Sequence, residues 1–122
     1  MAKWVSTAVL DGALNVLKTT ATRMDVTAAQ PADRAAVVAN SLATVTVATG
    51  DFTLAAGTGV SARKVTVVQK AGISVTATGT AGFVSMCDGV NLLYITTCTG
   101  QALTSGNTMT FGTWSVEIGD PV

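Results

Sequence analysis

The stretch Ile73-Ser74-Val75-Thr76-Ala77-Thr78, then Phe83-Val84-Ser85-Met86-Cys87, Asp88-Gly89 and Leu92-Leu93-Tyr94-Ile95-Thr96-Thr97-Cys98, decides the fold class. Apolar Ile73, Val75 and Ala77 alternate with Ser74, Thr76 and Thr78, the period of a strand with one buried face. Residues 83–87 are apolar on both faces, which predicts a central strand. Asp88-Gly89 is a strong hairpin signal, and it sends the chain back through residues 92–98. Gly79 to Gly82 predicts the turn between the first two of these strands.

The same punctuation recurs on both sides. Residues 63–70 make a strand with Val65 and Val67 inward, turned by Ala71-Gly72. Residues 23–29 alternate, with Met24, Val26 and Ala28 on one face, and Gln30-Pro31 ends them. Residues 43–48 form a Thr/Val strand closed by Gly50-Asp51, and residues 52–54 a short one before Gly57-Thr58-Gly59. Residues 101–103 read as a short strand that meets the turn Ser105-Gly106-Asn107. In the last strand, residues 108–118, Met109 and Phe111 are odd but Trp114, Val116 and Ile118 are even. That parity change predicts a β-bulge at Gly112-Thr113, where Gly112→Val is destabilising if Gly112 takes φ > 0.

Two segments depart from the strand pattern. Val9, Leu10, Ala13, Leu14 and Leu17 recur at helical spacing against Asp11, Asn15 and Lys18, predicting a helix over residues 7–19 capped by Ser6 or Thr7. Residues 32–40 are Ala-rich and form a short helix or an irregular turn, with Pro31 suited to a first helical position. About eight short strands with turns every 8 to 12 residues predict a mainly β fold: a two-sheet, jelly-roll-like β-sandwich with an N-terminal α-helix. One domain is expected over residues 1–122, with a helical segment at 1–20 and the sandwich at 21–122.

Composition constrains function. Of 122 residues 48% are hydrophobic, a usual share, but only 11% are charged, against about 25% in typical soluble domains. Mean hydropathy is +0.50. Dense mixed charge keeps monomers apart and interface cores are charge-depleted, so an obligate assembly protein is expected. Seven basic and seven acidic residues cancel, and only Arg63-Lys64 adjoin. No nucleic-acid or anionic-membrane partner is expected. The apolar start after Lys3 is interrupted by Asp11 and lacks a signal-peptide cleavage site. Residues 89–116 carry no charge, but their Thr, Gly, Asn and Gln speak for strands over a membrane helix. The chain is expected to be made in the cytosol and to stay soluble until it assembles.

Chemistry finds little material. The chain has no His, which removes the commonest general base and metal ligand. Glu117 is the only Glu, and Asp25, Asp33, Asp51, Asp88 and Asp120 lie near predicted turns, where Asp serves local hydrogen bonds. Cys87 and Cys98 lack a base to make a thiolate and are too few for zinc. The hairpin puts them at opposite ends, at about 3.3 Å per residue, far beyond the ~7 Å a disulfide spans. They are expected to be separate, reduced thiols. Gly57-Thr58-Gly59 with Arg63-Lys64 lacks the ending of a phosphate loop. Trp4, Tyr94 and Trp114 are the aromatics a sugar platform would use, though core or interface anchoring is the simpler role. No enzyme activity, cofactor or metal is expected.

Several stretches taken together resemble a family of small virion proteins from the head-gene region of tailed phages. They are Trp4-Val5-Ser6 with the Leu-rich helix, Asp51-Phe52-Thr53-Leu54 with Gly57, Ser61-Ala62-Arg63-Lys64 and Gly79-Thr80-Ala81. Leu92-Leu93-Tyr94-Ile95-Thr96, the run from Gln101 through Asn107, and Trp114-Ser115-Val116-Glu117-Ile118-Gly119-Asp120-Pro121 continue them. The resemblance covers nearly the whole chain except residues 28–40, rests on turns and strands, and transfers no catalytic residue. It implies a head component on the outer virion surface, a decoration (cement) protein whose partners are the major capsid protein and itself, as homodimer or homotrimer. A low-copy neck or tail connector, or a carbohydrate-binding sandwich module, are the alternatives. Trp4, Leu10, Leu14, Leu17, Arg63, Lys64 and Trp114 are the expected interface residues.

Overall fold

The computed structural model describes residues 4–59 and 62–119. Lys3, Ser61 of the Ser61-Ala62-Arg63-Lys64 stretch, and Asp120-Pro121 lie outside the described residues. The order is α1 (Thr7–Thr20), β1 (Arg23–Thr27), α2 (Arg34–Asn40), β2 (Ala43–Thr46), a 3-10 turn (Thr49–Asp51), β3 (Phe52–Ala56), β4 (Arg63–Val67), β5 (Lys70–Ser74), β6 (Gly79–Cys87), β7 (Leu92–Leu103), β8 (Thr108–Phe111) and β9 (Trp114–Ile118). The chain is mainly β, with three antiparallel sheets and an N-terminal helix. Their strand orders are β2-β1-β6-β7, β3-β4-β9 and β5-β8.

α1 begins where Ser6 Oγ accepts from the Ala8 N–H at 3.2 Å, and Leu10, Leu14 and Leu17 form its buried side. Leu14 and Leu17 join Met24, Phe52, Val65, Val67 and Met86 in one core to which all three sheets contribute. Lys18 Nζ donates to the carbonyl of Phe52 at 2.7 Å. That bond fastens α1 to the first residue of β3, the outer strand of its sheet.

The central strand is where the sequence puts it: β6 lies between β1 and β7. Its beginning is not. Residues 79–82 are strand, because residues 101–103 pair with them (Gly79↔Leu103, Thr80↔Ala102, Ala81↔Gln101) as a continuation of β7, and not as a separate short strand. Nor do Ala71-Gly72 turn the chain. They lie inside β5, where the register shifts between Lys70 and Ile73, and Gly72 takes φ +69°. The break at Gly112-Thr113 is present, but it is a change of sheet: β8 pairs with β5 and β9 with β4. Positive φ occurs at Gly72 and Gly106 among the glycines and a Cβ on Gly112 would meet nothing, so the condition under which Gly112→Val would be strained is not met. Nine strands result among the described residues, one more than expected.

α2 starts at Arg34, with Asp33 as its cap (Oδ1 accepting from the Ala36 N–H at 2.8 Å), so Pro31 is outside it. Below α2 lies the largest departure from expectation. Asp25 is no turn residue; it sits mid-strand, fully buried. Strand alternation puts Arg23 and Asp25 on one face, and Arg23 Nε and Nη2 donate to Asp25 Oδ1 and Oδ2 at 2.8 and 2.6 Å. Ser41 Oγ adds a third donor at 2.6 Å.

Candidate functional site

Twelve charged side chains lie among the described residues, and eleven of them are engaged within the chain. Arg63 Nε meets Asp11 Oδ1 at 2.7 Å and Lys70 Nζ meets Asp51 Oδ1 at 2.9 Å. Arg23 is bound to Asp25, and Lys18 and Arg34 donate to the carbonyls of Phe52 and Asp88. Asp33 caps α2, and Asp88 Oδ1 accepts from the N–H groups of Val90 and Asn91 at 2.7 and 2.6 Å, which closes the β6–β7 hairpin. Glu117 Oε1 accepts from the Thr58 N–H at 2.8 Å and from its hydroxyl at 2.9 Å. Lys64 is the exception among the described residues.

The electrostatics follow from these contacts. The Thr58 hydroxyl, helped by the Thr58 N–H, holds the Glu117 carboxyl below its ordinary range. The bond from Lys70 does the same for Asp51, and the Asn91 and Val90 N–H groups for Asp88. Burial pushes both thiols, Cys87 and Cys98, upward, toward the protonated and unreactive form. The two cysteines are free. Among the described residues no three His, Cys, Asp or Glu side chains gather as a metal site would require, and no helix is long and apolar enough to cross a membrane.

The surface charges are thus few and locally paired, and apolar groups stand among them. Trp4 is 77% exposed, Val9 63% and Val16 50%, and Val38, Val68 and Val90 are exposed as well. Of the residues expected at an interface, Trp4 is in the open. Leu10, Leu14 and Leu17 are not: each is at most 7% exposed, because they supply the side of α1 that closes the chain's own core. Val9 and Ala13, read from sequence as part of that inward set, point out. Arg63 is occupied by Asp11. Lys64 is half-buried on β4 opposite Glu117.

Trp114 is half-buried and stacks on Tyr94, with ring centroids 5.9 Å apart and planes at 25°. Its indole N–H is buried without a partner, as is the Ser85 hydroxyl. Two of the three aromatics considered for a sugar platform thus come together, and Trp4 stands apart from them. A cleft of about 370 Å³ lies beside Trp114, lined by Thr96, Thr97, Cys98, Phe111 and Thr113. A second, of about 350 Å³, runs between α1 (Ala13, Val16, Leu17) and Leu93, Tyr94 and Ile118.

Sequence reading missed Val9, Val16 and the Arg23–Asp25 pair. The signals were present: Val9 and Val16 are seven residues apart, which returns to one helix face, and Arg23 and Asp25 are two apart, which returns to one strand face. Comparison with family models, curated proteins and solved structures gives no match for this chain.

Proposed function

We propose that the chain is a non-catalytic structural protein that works in many copies, as a decoration (cement) protein on the outer surface of a tailed-phage head. Its partners in this role are the major capsid protein and further copies of itself. One observation carries the reading: the chain has few charges, eleven of the twelve described ones already have partners within it, and Trp4, Val9 and Val16 face solvent. Such a surface resists association poorly, and contiguous exposed apolar groups mark interaction sites. The resemblance in the strand and turn residues supplies the phage head. A protein that binds only the assembled shell stabilises it by mass action, and this needs no active site.

The fold belonging to this reading is a two-layer, jelly-roll-like sandwich. In support, the Val75–Ala43 bridge joins the β5-β8 ribbon to the edge of β2, and β8 runs on into β9 of the other sheet. Carbohydrate binding has one observation in its favour, the Tyr94–Trp114 pair beside the 370 Å³ cleft. Each ring gives one face to the other, however, which halves the platform.

The test is made on particles assembled without this chain. They should form, yet burst at lower temperature or under milder osmotic shock, and recover when purified protein is added. Particles equally robust without it would favour the neck or tail connector. Glycan binding lost in Trp114→Ala would favour the carbohydrate module.

A further inference from the structure

Residues 28–41 leave β1 and return to β2, two strands that pair side by side. Both ends of the segment therefore spring from one place, where Val26 lies opposite Ala43 and the Leu42 N–H donates to the Val26 carbonyl at 2.9 Å. Its far point is Arg34, the first residue of α2, whose Nε donates to the Asp88 carbonyl at 2.7 Å. Asp88 follows Cys87, which pairs with Arg23 at the end of β1 away from that exit. The segment is thus a flap laid along β1 and β6, hinged at Thr27 and Leu42 and latched at Arg34.

What it covers is polar. Cross-strand partners share a face of a sheet, so Arg23 and Cys87, Asp25 and Ser85, and Thr27 and Phe83 lie on one side of β1 and β6. Met24, Val26, Val84 and Met86 fill the main core from the other side. Asp25, Thr27, Ser85 and Cys87 are nevertheless each 0% exposed, while Phe83 is half-buried. The flap closes over them with two buried apolar side chains of its own, Pro31 and Val37. The Ser85 hydroxyl is left buried without a partner, which costs the closed form a hydrogen bond that water would supply. α2 has seven residues, too few to hold a helix without packing.

We infer that residues 28–41 are a lid that opens as a unit while the core stays folded, and that this lid controls access to the Cys87 thiol and the Asp25 carboxylate. Segments that open below the free energy of global unfolding are those with few buried apolar contacts, and this one has two. Opening gives up Pro31, Val37 and the Arg34 bond, and returns Ser85 to water. It breaks no strand pair, because β1 and β2 remain together at the hinge. Nor does it strand a charge: Arg23 stands on the same strand as Asp25 and holds both carboxylate oxygens with the lid open or closed. The device is independent of the role proposed above and of the surface through which copies meet.

The experiment follows alkylation of Cys87 by iodoacetamide in the full chain carrying Cys98→Ser, so that one thiol reports. Rates are measured in water and in urea below the global transition, which tryptophan fluorescence records separately. Cys87 should react slowly, through an opening whose urea dependence is much shallower than that of global unfolding, since the slope follows the surface exposed. Arg34→Ala and Val37→Ala should each speed alkylation at least about tenfold, the factor expected when a charged hydrogen bond or a buried side chain is lost from the closed form alone. Leu14→Ala, in the core beneath α1, should lower the global midpoint and leave the alkylation rate in water unchanged. Three results would overturn the inference. One is a urea dependence equal to that of global unfolding. Another is a rate raised by Leu14→Ala and indifferent to Arg34→Ala and Val37→Ala. The third is alkylation as fast as that of a free thiol, which would mean that no lid covers Cys87.

Discussion

The two helices differ in how they treat charge. α2 buries Val37, and its polar underside is the cluster that its C-cap Ser41 forms with Arg23 and Asp25 of β1. α1 lies over a wholly apolar one of Leu10, Leu14 and Leu17 and sends both its charges sideways to β3 and β4. The consequence is the same in both places: charge is bound to partners within the chain, buried at Asp25 and at the surface elsewhere. The few charges the chain has serve to fasten elements together, even where they lie at the surface.

Breaking the polar underside should have the largest effect. Asp25 is fully buried, while the Arg23 side chain is 23% exposed, so removing the cation strands a charge that cannot reach water. Arg23→Ala is expected to cost about 3–5 kcal/mol. Asp25→Ala should cost less, because the guanidinium left behind can turn to solvent. Urea unfolding of the two variants checks the order, and equal losses would show that the pair is not divided by burial as described.

The apolar helix sharpens the contrast next. Leu14→Ala should destabilise the monomer by about 2–5 kcal/mol, since Leu14 is 1% exposed and its loss opens a cavity. Val16→Ala, two residues away on the open face, should change monomer stability by less than about 0.5 kcal/mol. The pair is read by unfolding at concentrations low enough to keep the chain monomeric.

A smaller effect comes from the loop anchored by Glu117. Its carboxyl is depressed in the folded chain by the Thr58 hydroxyl and N–H. A depressed carboxyl stabilises the fold above its unfolded pKa, and the contribution is lost as pH falls through the folded value. Asp51 and Asp88 act in the same direction. Wild type should therefore weaken as pH falls below about 4, and Glu117→Gln should show a shallower acid limb in unfolding midpoints from pH 7 to 3. An unchanged limb would mean that the turn contact does not contribute to stability.

Legibility in the sequence follows the strength of the periodic signal. α1 and the β6–β7 hairpin were readable because leucine spacing and Asp88-Gly89 are local and unambiguous. The break at Gly112-Thr113 was readable as a parity change, but a bulge and a change of sheet leave the same parity signature, and only the pairing partners of β8 and β9 separate them. Asp25 was misplaced because Asp usually serves turns; its partner Arg23 stood two residues away in the same alternating run. At the surface, Trp4 is exposed, while the three leucines expected beside it at an interface are buried in the chain's own core. A helix packed on its own sheet and one packed on a neighbour show the same apolar stripe, and the core contacts decide between them.

The most direct test of the claim that this charge-poor chain associates through apolar surface is the salt dependence of self-association. Sedimentation equilibrium of the purified chain between about 0.05 and 1 M salt, over which the screening length falls from more than 10 Å to about 3 Å, should give a Kd that is unchanged or tighter at high salt. A chain that stays monomeric throughout, or whose association collapses as salt rises, would contradict the account.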